Sequence, residues 1–173
     1  MSMESQSLTG SYAYNDSLKG VYYGPGCVKT ALPKLLDILR AKRALVLTGQ
    51  SLFHKVKLIF PPDVASVLTW THYLQTDIVK TVENILKERD AYGATFYEIG
   101  QHSPIAQIKT GSEQFKAAGA DIIVTVGGGS PIDAAKAICH FLQQERGGPY
   151  PRQIAIPTTL SAAEYTVEFP PWT

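Results

Sequence analysis

Three glycines, Gly127-Gly128-Gly129, separate the apolar run Asp121 to Val126 from an alanine-rich stretch that opens Ser130-Pro131-Ile132-Asp133 and carries Lys136. Glycines at the carboxyl end of a buried strand let the backbone come close to a ligand. The free N–H groups and the dipole of the helix that follows attract phosphate. Ser130 has the chemistry of an N-cap, Pro131 suits the first helical position, and Asp133 stands where it can complete a capping box. The pattern is neither GxGxxG nor a Walker loop, because Lys136 lies within the helix and not directly after the last glycine. A second stretch, Ile154-Ala155-Ile156 followed by Pro157-Thr158-Thr159-Leu160-Ser161, is a strand that delivers hydroxyls to the same edge of a sheet. Such hydroxyls can hydrogen-bond a phosphate or a carboxamide. The plainer alternatives are a tight strand–helix turn without ligand and, for the threonines, capping and turn chemistry.

The remaining chemistry-bearing residues are scattered. The four histidines, His54, His72, His102 and His140, show neither HxxxH nor HExxH spacing, so each is expected to serve the surface or the packing and not a metal. His102 lies in the loop Gln101-His102-Ser103-Pro104, near the sheet edge. Cys27 and Cys139 lack CxxC spacing and read as reduced thiols, with a disulfide as the alternative.

These residues must be positioned by alternating elements. Val21-Tyr22-Tyr23 predicts a short strand before Gly24-Pro25-Gly26. A helix is expected from Val28 to Ala41, with Leu32, Leu35, Leu36 and Leu39 on one face. Ala44 to Thr48 reads as a buried strand and Thr76-Asp77 as the cap of a helix reaching Arg89. A strand over Thr95 to Ile99, a helix over Ile105 to Ala118 and the strand Asp121 to Val126 follow. The helix Pro131 to Gln143 and the strand Gln153 to Ile156 complete the series. Repeated strand–helix–strand units imply a parallel sheet covered by helices on both faces, a three-layer α/β domain. Leu58 to Gln75 breaks this rhythm with Pro61-Pro62, Trp70 and Tyr73, and is expected to be an insertion, with a surface loop carrying its own short helix as the alternative. The division is a polar tail over 1–17, one α/β domain over 18–166, and an atypical end over 167–173.

Composition narrows the class. The 173 residues are 45% apolar and 18% charged with net charge +1, the balance of a globular domain without a basic stripe, so neither nucleic acid nor an anionic membrane surface is an expected partner. The polar start is not expected to act as a signal peptide, and no apolar run approaches the ~20 residues of a membrane span. A cytoplasmic protein is expected.

Taken together, Val21 to Gly26, Leu45 to Gly49, Gly127 to Ile138 and Ile154 to Thr166 resemble, in order, the nucleotide-binding half of the iron-containing alcohol dehydrogenases. That group includes the maleylacetate reductases and is related to dehydroquinate synthase. The form TTLSAAEYT looks most like a fungal branch. The resemblance implies a Rossmann-like domain with a mainly parallel sheet. It implies that Gly127, Gly128, Gly129 and Ser130 hold the pyrophosphate of a dinucleotide, with Asp133 and Lys136 supporting the loop from the helix. Thr158, Thr159 and Leu160 would lie against the nicotinamide. Where members that prefer NAD carry an Asp for the adenosine ribose, this sequence has Gly49. The missing carboxylate leaves room for a 2′-phosphate, so NADP is expected slightly ahead of NAD.

The resemblance also implies a helical second domain whose Asp and His residues hold the catalytic metal, and a substrate that is an alcohol or a carbonyl. The sequence reaches Thr173 before the point where that domain would begin, so neither iron nor zinc is expected on these residues. Three readings stay open. The chain is the NAD(P)-binding domain of an oxidoreductase, or a truncated, redox-inactive relative that binds a ligand or catalyses a metal-free reaction, or an interaction module. A homo-oligomer or a partner chain is expected to cover the face left exposed.

Overall fold

The computed structural model describes residues 8–13, 18–53 and 77–166. The expected insertion over 58–75 and the atypical end over 167–173 lie outside the described residues, as do His54 and His72.

Strands β1 (Gly10–Tyr12) and β2 (Val21–Tyr23) pair antiparallel, Ser11 opposite Tyr22. The polar composition of the first seventeen residues hid the first of these strands. Its apolar contribution is one tyrosine, and its order comes from the ladder to Val21–Tyr23. Helix α1 (Val28–Ile38) and strand β3 (Ala44–Gly49) follow, then a single turn, α2 (Gln50–Phe53). Helix α3 (Ile78–Glu88), strand β4 (Tyr92–Ile99), helix α4 (Ile105–Ala117) and strand β5 (Ile122–Gly127) come next. Helix α5 (Gly129–Arg146), strand β6 (Arg152–Pro157) and a short 3₁₀ turn (Ala163–Tyr165) complete the described chain.

The main sheet has the order β4-β3-β5-β6 and all three pairings are parallel. Strand β3 has β4 on one side and β5 on the other, so the chain reverses direction across the sheet between β4 and β5. In open α/β sheets that reversal opens a crevice beyond the carboxyl ends of the central strands, and ligands bind there. Both central strands are buried along their whole length. That is why ALVLTG and IIVTVG read as continuous apolar runs without polar alternation.

Strand pleating divides the core into two layers. Leu45, Leu47 and Ile123 face α4 and α5 and pack with Ile108, Phe115, Ile138 and Leu142. Ala44, Val46, Ile122, Val124 and Val126 face α1 and α3 and pack with Leu32, Leu36, Val82 and Leu86. The domain is therefore a three-layer, Rossmann-like α/β sandwich.

Several element boundaries differ from the sequence expectation, among them the end of α1, at Ile38 and not Ala41, and the end of α5, at Arg146 and not Gln143. Strand β4 begins at Tyr92 and not at Thr95, because Tyr92 already pairs with Ala44 at the start of β3. Helix α5 begins at Gly129, two residues before Pro131, and this shift changes the roles of Ser130 and Asp133. Cys27 and Cys139 are both free.

Candidate functional site

The glycine run lies where β5 becomes α5. Gly127 is the last residue of β5, and its carbonyl accepts a hydrogen bond from Thr158 N at 2.9 Å. Thr158 and Thr159 follow the end of β6, so that bond brings the two carboxyl edges together. Gly128 is the flanking residue of α5, in extended conformation, with φ −83° and ψ −155°. A Cβ added there would stand 2.9 Å from Thr159 Oγ1 and 3.0 Å from its Cγ2. At Gly127, where φ is +155°, a Cβ would meet Pro131 Cγ at 2.8 Å. Both positions need glycine because neighbouring groups already occupy the space of a side chain.

No side chain caps the start of α5. Ser130 is thus not the N-cap and Asp133 closes no capping box. Ser130 lies inside the first turn, where its Oγ accepts from His102 N at 3.2 Å. Asp133 pairs with Lys136, Nζ to Oδ1 at 3.0 Å. The physical reason is competition. Local spacing offered these side chains to the helix's own N–H groups, but other donors claimed them: the His102 backbone for Ser130, and Lys136 one turn along the same helix for Asp133. What remains is an 18-residue helix whose first N–H groups and positive dipole end face the sheet edge without a side-chain acceptor.

Lys136 is an anchor. Its ammonium group donates to Ala163 O at 2.6 Å and Thr166 Oγ1 at 2.8 Å besides Asp133, which fastens α5 to the 3₁₀ turn. Leu160 is fully exposed. It lines, with Pro157, Thr158, Thr159, Ala162, Glu164 and Tyr165, an open cavity of about 440 Å³. Gly49, at the end of β3, faces the same first turn of α5. A Cβ there would lie 3.3 Å from Ile99 O and 3.9 Å from Pro131 Cγ. The structure thus brings Gly49, Gly127, Gly128, Gly129, Ser130, Thr158 and Thr159 to one edge, with Asp133 and Lys136 one turn behind.

Sequence reasoning missed two contributors. Glu164 lines the cavity and has one buried carboxylate oxygen, Oε2, without a hydrogen-bond partner among the described residues. Ser103 donates from Oγ to Ser130 O at 2.6 Å. The Pro104 that ends the loop was the only signal for the latter.

The sequence model of the iron-containing alcohol dehydrogenase family matches residues 63–167. The chain belongs to that family. Among members with curated sequences, the maleylacetate reductase of Rhizobium sp. (strain MTP-10005) is 38% identical over 71 residues, covering 41% of this chain and 18% of its own length. Among solved structures, the maleylacetate reductase from Agrobacterium tumefaciens superposes with a TM-score of 0.54 at 25% identity, over 81% of this chain and 31% of that one. An iron-containing alcohol dehydrogenase from Thermotoga maritima gives a TM-score of 0.54 at 22% identity, over 76% of this chain and 34% of that one, a likeness of fold. The chain spans about a third or less of these relatives.

The iron in the family's name finds no donor set among the described residues, where no group of three or more His, Cys, Asp or Glu converges. Of the described histidines, His140 lies on α5, its Nδ1 3.2 Å from Tyr150 OH, and His102 lies at Ser130. Among the described residues no helix is long and apolar enough to cross a membrane.

Proposed function

We propose that this chain is the dinucleotide-binding part of an NAD(P)-dependent oxidoreductase that acts on an alcohol or a carbonyl in the manner of a maleylacetate reductase. The observation that carries the reading is the uncapped start of α5, set at the carboxyl end of β5 with Thr158 and Thr159 across from it. Backbone N–H groups at a helix start are a ready anion site, and here no side chain among the described residues caps it. A bound nicotinamide dinucleotide supplies the hydride carrier. Its pyrophosphate lies over Gly127, Gly128, Gly129 and Ser130, with Thr158, Thr159 and Leu160 toward the nicotinamide. Asp133 and Lys136 hold the loop's footing. Gly49 offers no carboxylate to a ribose and none to repel a 2′-phosphate, which supports NADP slightly ahead of NAD.

A second element of the reading is a partner. Leu160 is fully exposed and Tyr165 is 60% exposed around the open cavity, so an apolar edge lies beside the nicotinamide end of the proposed site. A second copy of this chain or a partner chain covers that edge and supplies the rest of the substrate pocket. A cytoplasmic setting fits such a cofactor.

The test is calorimetric titration of the full chain with NADPH and NADH. Binding is expected for both, tighter for NADPH, and weak because one wall of a cleft leaves much of the cofactor in water. Gly128→Val drives two methyl groups into Thr159 and the anion path and is expected to abolish binding while the far-UV circular dichroism is kept. Wild-type protein that binds neither cofactor would overturn the reading.

A further inference from the structure

The loop that leaves β4 is built in a conformation that its residue types resist. His102 and Ser103 are consecutive non-glycine residues in the left-handed region, with φ +59° and +48°. Such conformations persist where the surroundings over-determine them, and they gather at functional sites. Two hydrogen bonds supply the surroundings, and both land on one residue of the anion loop. His102 N donates to Ser130 Oγ at 3.2 Å, and Ser103 Oγ donates to Ser130 O at 2.6 Å. Ser103 is 1% exposed, and its hydroxyl proton is spent on that carbonyl. The loop is braced from behind as well, since Gln107 Oε1 accepts from Gly100 N at 2.7 Å.

We propose that His102-Ser103 is a positioning latch that commits the Ser130 hydroxyl to donate to the bound phosphate. A serine hydroxyl has one proton to give and two lone pairs to offer. The His102 N–H occupies a lone pair, so the hydroxyl proton points elsewhere and needs an acceptor. A phosphate oxygen over the start of α5 is that acceptor, and a hydrogen bond to a charged oxygen is the stronger kind. Ser103 keeps the latch closed by holding the Ser130 carbonyl, and it touches no ligand itself. The proposal rests on the dinucleotide reading above but needs only its phosphate.

The decisive substitution is Ser103→Gly. Glycine accepts the left-handed backbone without penalty, so this variant removes the hydroxyl while relieving the strain. The full chain is titrated with NADPH and, separately, with inorganic pyrophosphate, in four forms: wild type, Ser103→Gly, Ser130→Ala and the double variant. Each single variant is expected to weaken binding about tenfold, the worth of one charge-assisted hydrogen bond. The double variant is expected to bind no more weakly than Ser130→Ala alone, because the latch acts only through that hydroxyl. Ser103→Gly is expected to melt no lower than wild type. Ser103→Ala, which keeps a left-handed Cβ, provides the same readout if the glycine variant does not fold. A melting shift without an affinity loss, or losses that multiply in the double variant, would overturn the latch. If wild type binds pyrophosphate but not NADPH, the dinucleotide reading falls and the cycle on pyrophosphate decides the latch. If it binds neither, both fall.

Discussion

Cys139 lies on the buried face of α5, and burial pushes its thiol up from 9.0 to about 12. It is therefore a packing residue and no nucleophile, since the thiolate is the reactive form. The shift has a consequence for stability at alkaline pH. Above pH 9 the unfolded chain releases the thiol proton while the folded chain keeps it, so the folded state falls behind as pH rises toward about 12. Denaturant titrations between pH 9 and 11 are expected to show this group costing about 1.4 kcal/mol per pH unit. Cys139→Ala is expected to lower stability by about 1 kcal/mol at pH 7 and to flatten the alkaline slope. An unchanged slope would mean that the thiol titrates freely. At this scale the sequence was legible where the chemistry is local. The glycine run after β5 and the hydroxyl pair after β6 were visible in the strand–loop order, although what crowds a side chain at Gly128 is Thr159 from the end of the neighbouring strand. The roles of Ser130 and Asp133 were not legible in the same way. Ser130's partners lie 27 and 28 residues back, and the lysine that claims Asp133 is itself fixed by residues 27 and 30 positions on.

Among elements, α5 carries the site, and what fixes it in place is a set of polar ties at its first turns. Lys136 has three acceptors, and its side chain is 13% exposed. Lys136→Met keeps the aliphatic bulk but removes the cation that pairs with the Asp133 carboxylate and one donor to the Ala163 carbonyl, which keeps only its bonds from Thr166. Removing one side of a buried charged network costs more than the network contributes over an apolar substitute. A loss of about 2 kcal/mol is expected, read as a fall in melting temperature of about 4–8 °C. Faster amide exchange at Tyr165 and Thr166 is expected to accompany it. If melting falls but exchange in 163–166 does not change, the lysine stabilises α5 by itself and ties nothing to it. The element order and the parallel sheet were legible because β3 and β5 are buried on both faces and read as unbroken apolar runs. Strand β1 was not legible, because Gly10-Ser11-Tyr12 sits in a polar stretch with one apolar side chain, unlike Val21-Tyr22-Tyr23 opposite it. The early start of α5 was hidden by glycine's poor helix propensity, which tertiary contacts override here.

For the molecule as a whole, the unbalanced feature is the exposed apolar edge beyond β6. The sheet is covered on both faces by packed helices. The region after Pro157 instead presents Leu160 with its side chain wholly in solvent, Tyr165 at 60% exposure and Tyr12, whose hydroxyl lies 3.3 Å from that of Tyr165, at 45%. Single exposed apolar residues are ordinary on a protein surface, but a cluster beside an open cavity is a candidate contact. If a second copy covers it, sedimentation is expected to show concentration-dependent association of the full chain. Leu160→Asp is then expected to return the protein to monomer, because a charge placed in an apolar contact loses its hydration without gaining a partner. The same substitution should leave the fold intact, since a fully exposed side chain contributes no packing. It should also leave pyrophosphate binding at α5 unchanged. A monomer at every concentration for wild type, together with no binding of an apolar dye at this edge, would show that water alone covers it. An association that survives Leu160→Asp would place the contact on another surface.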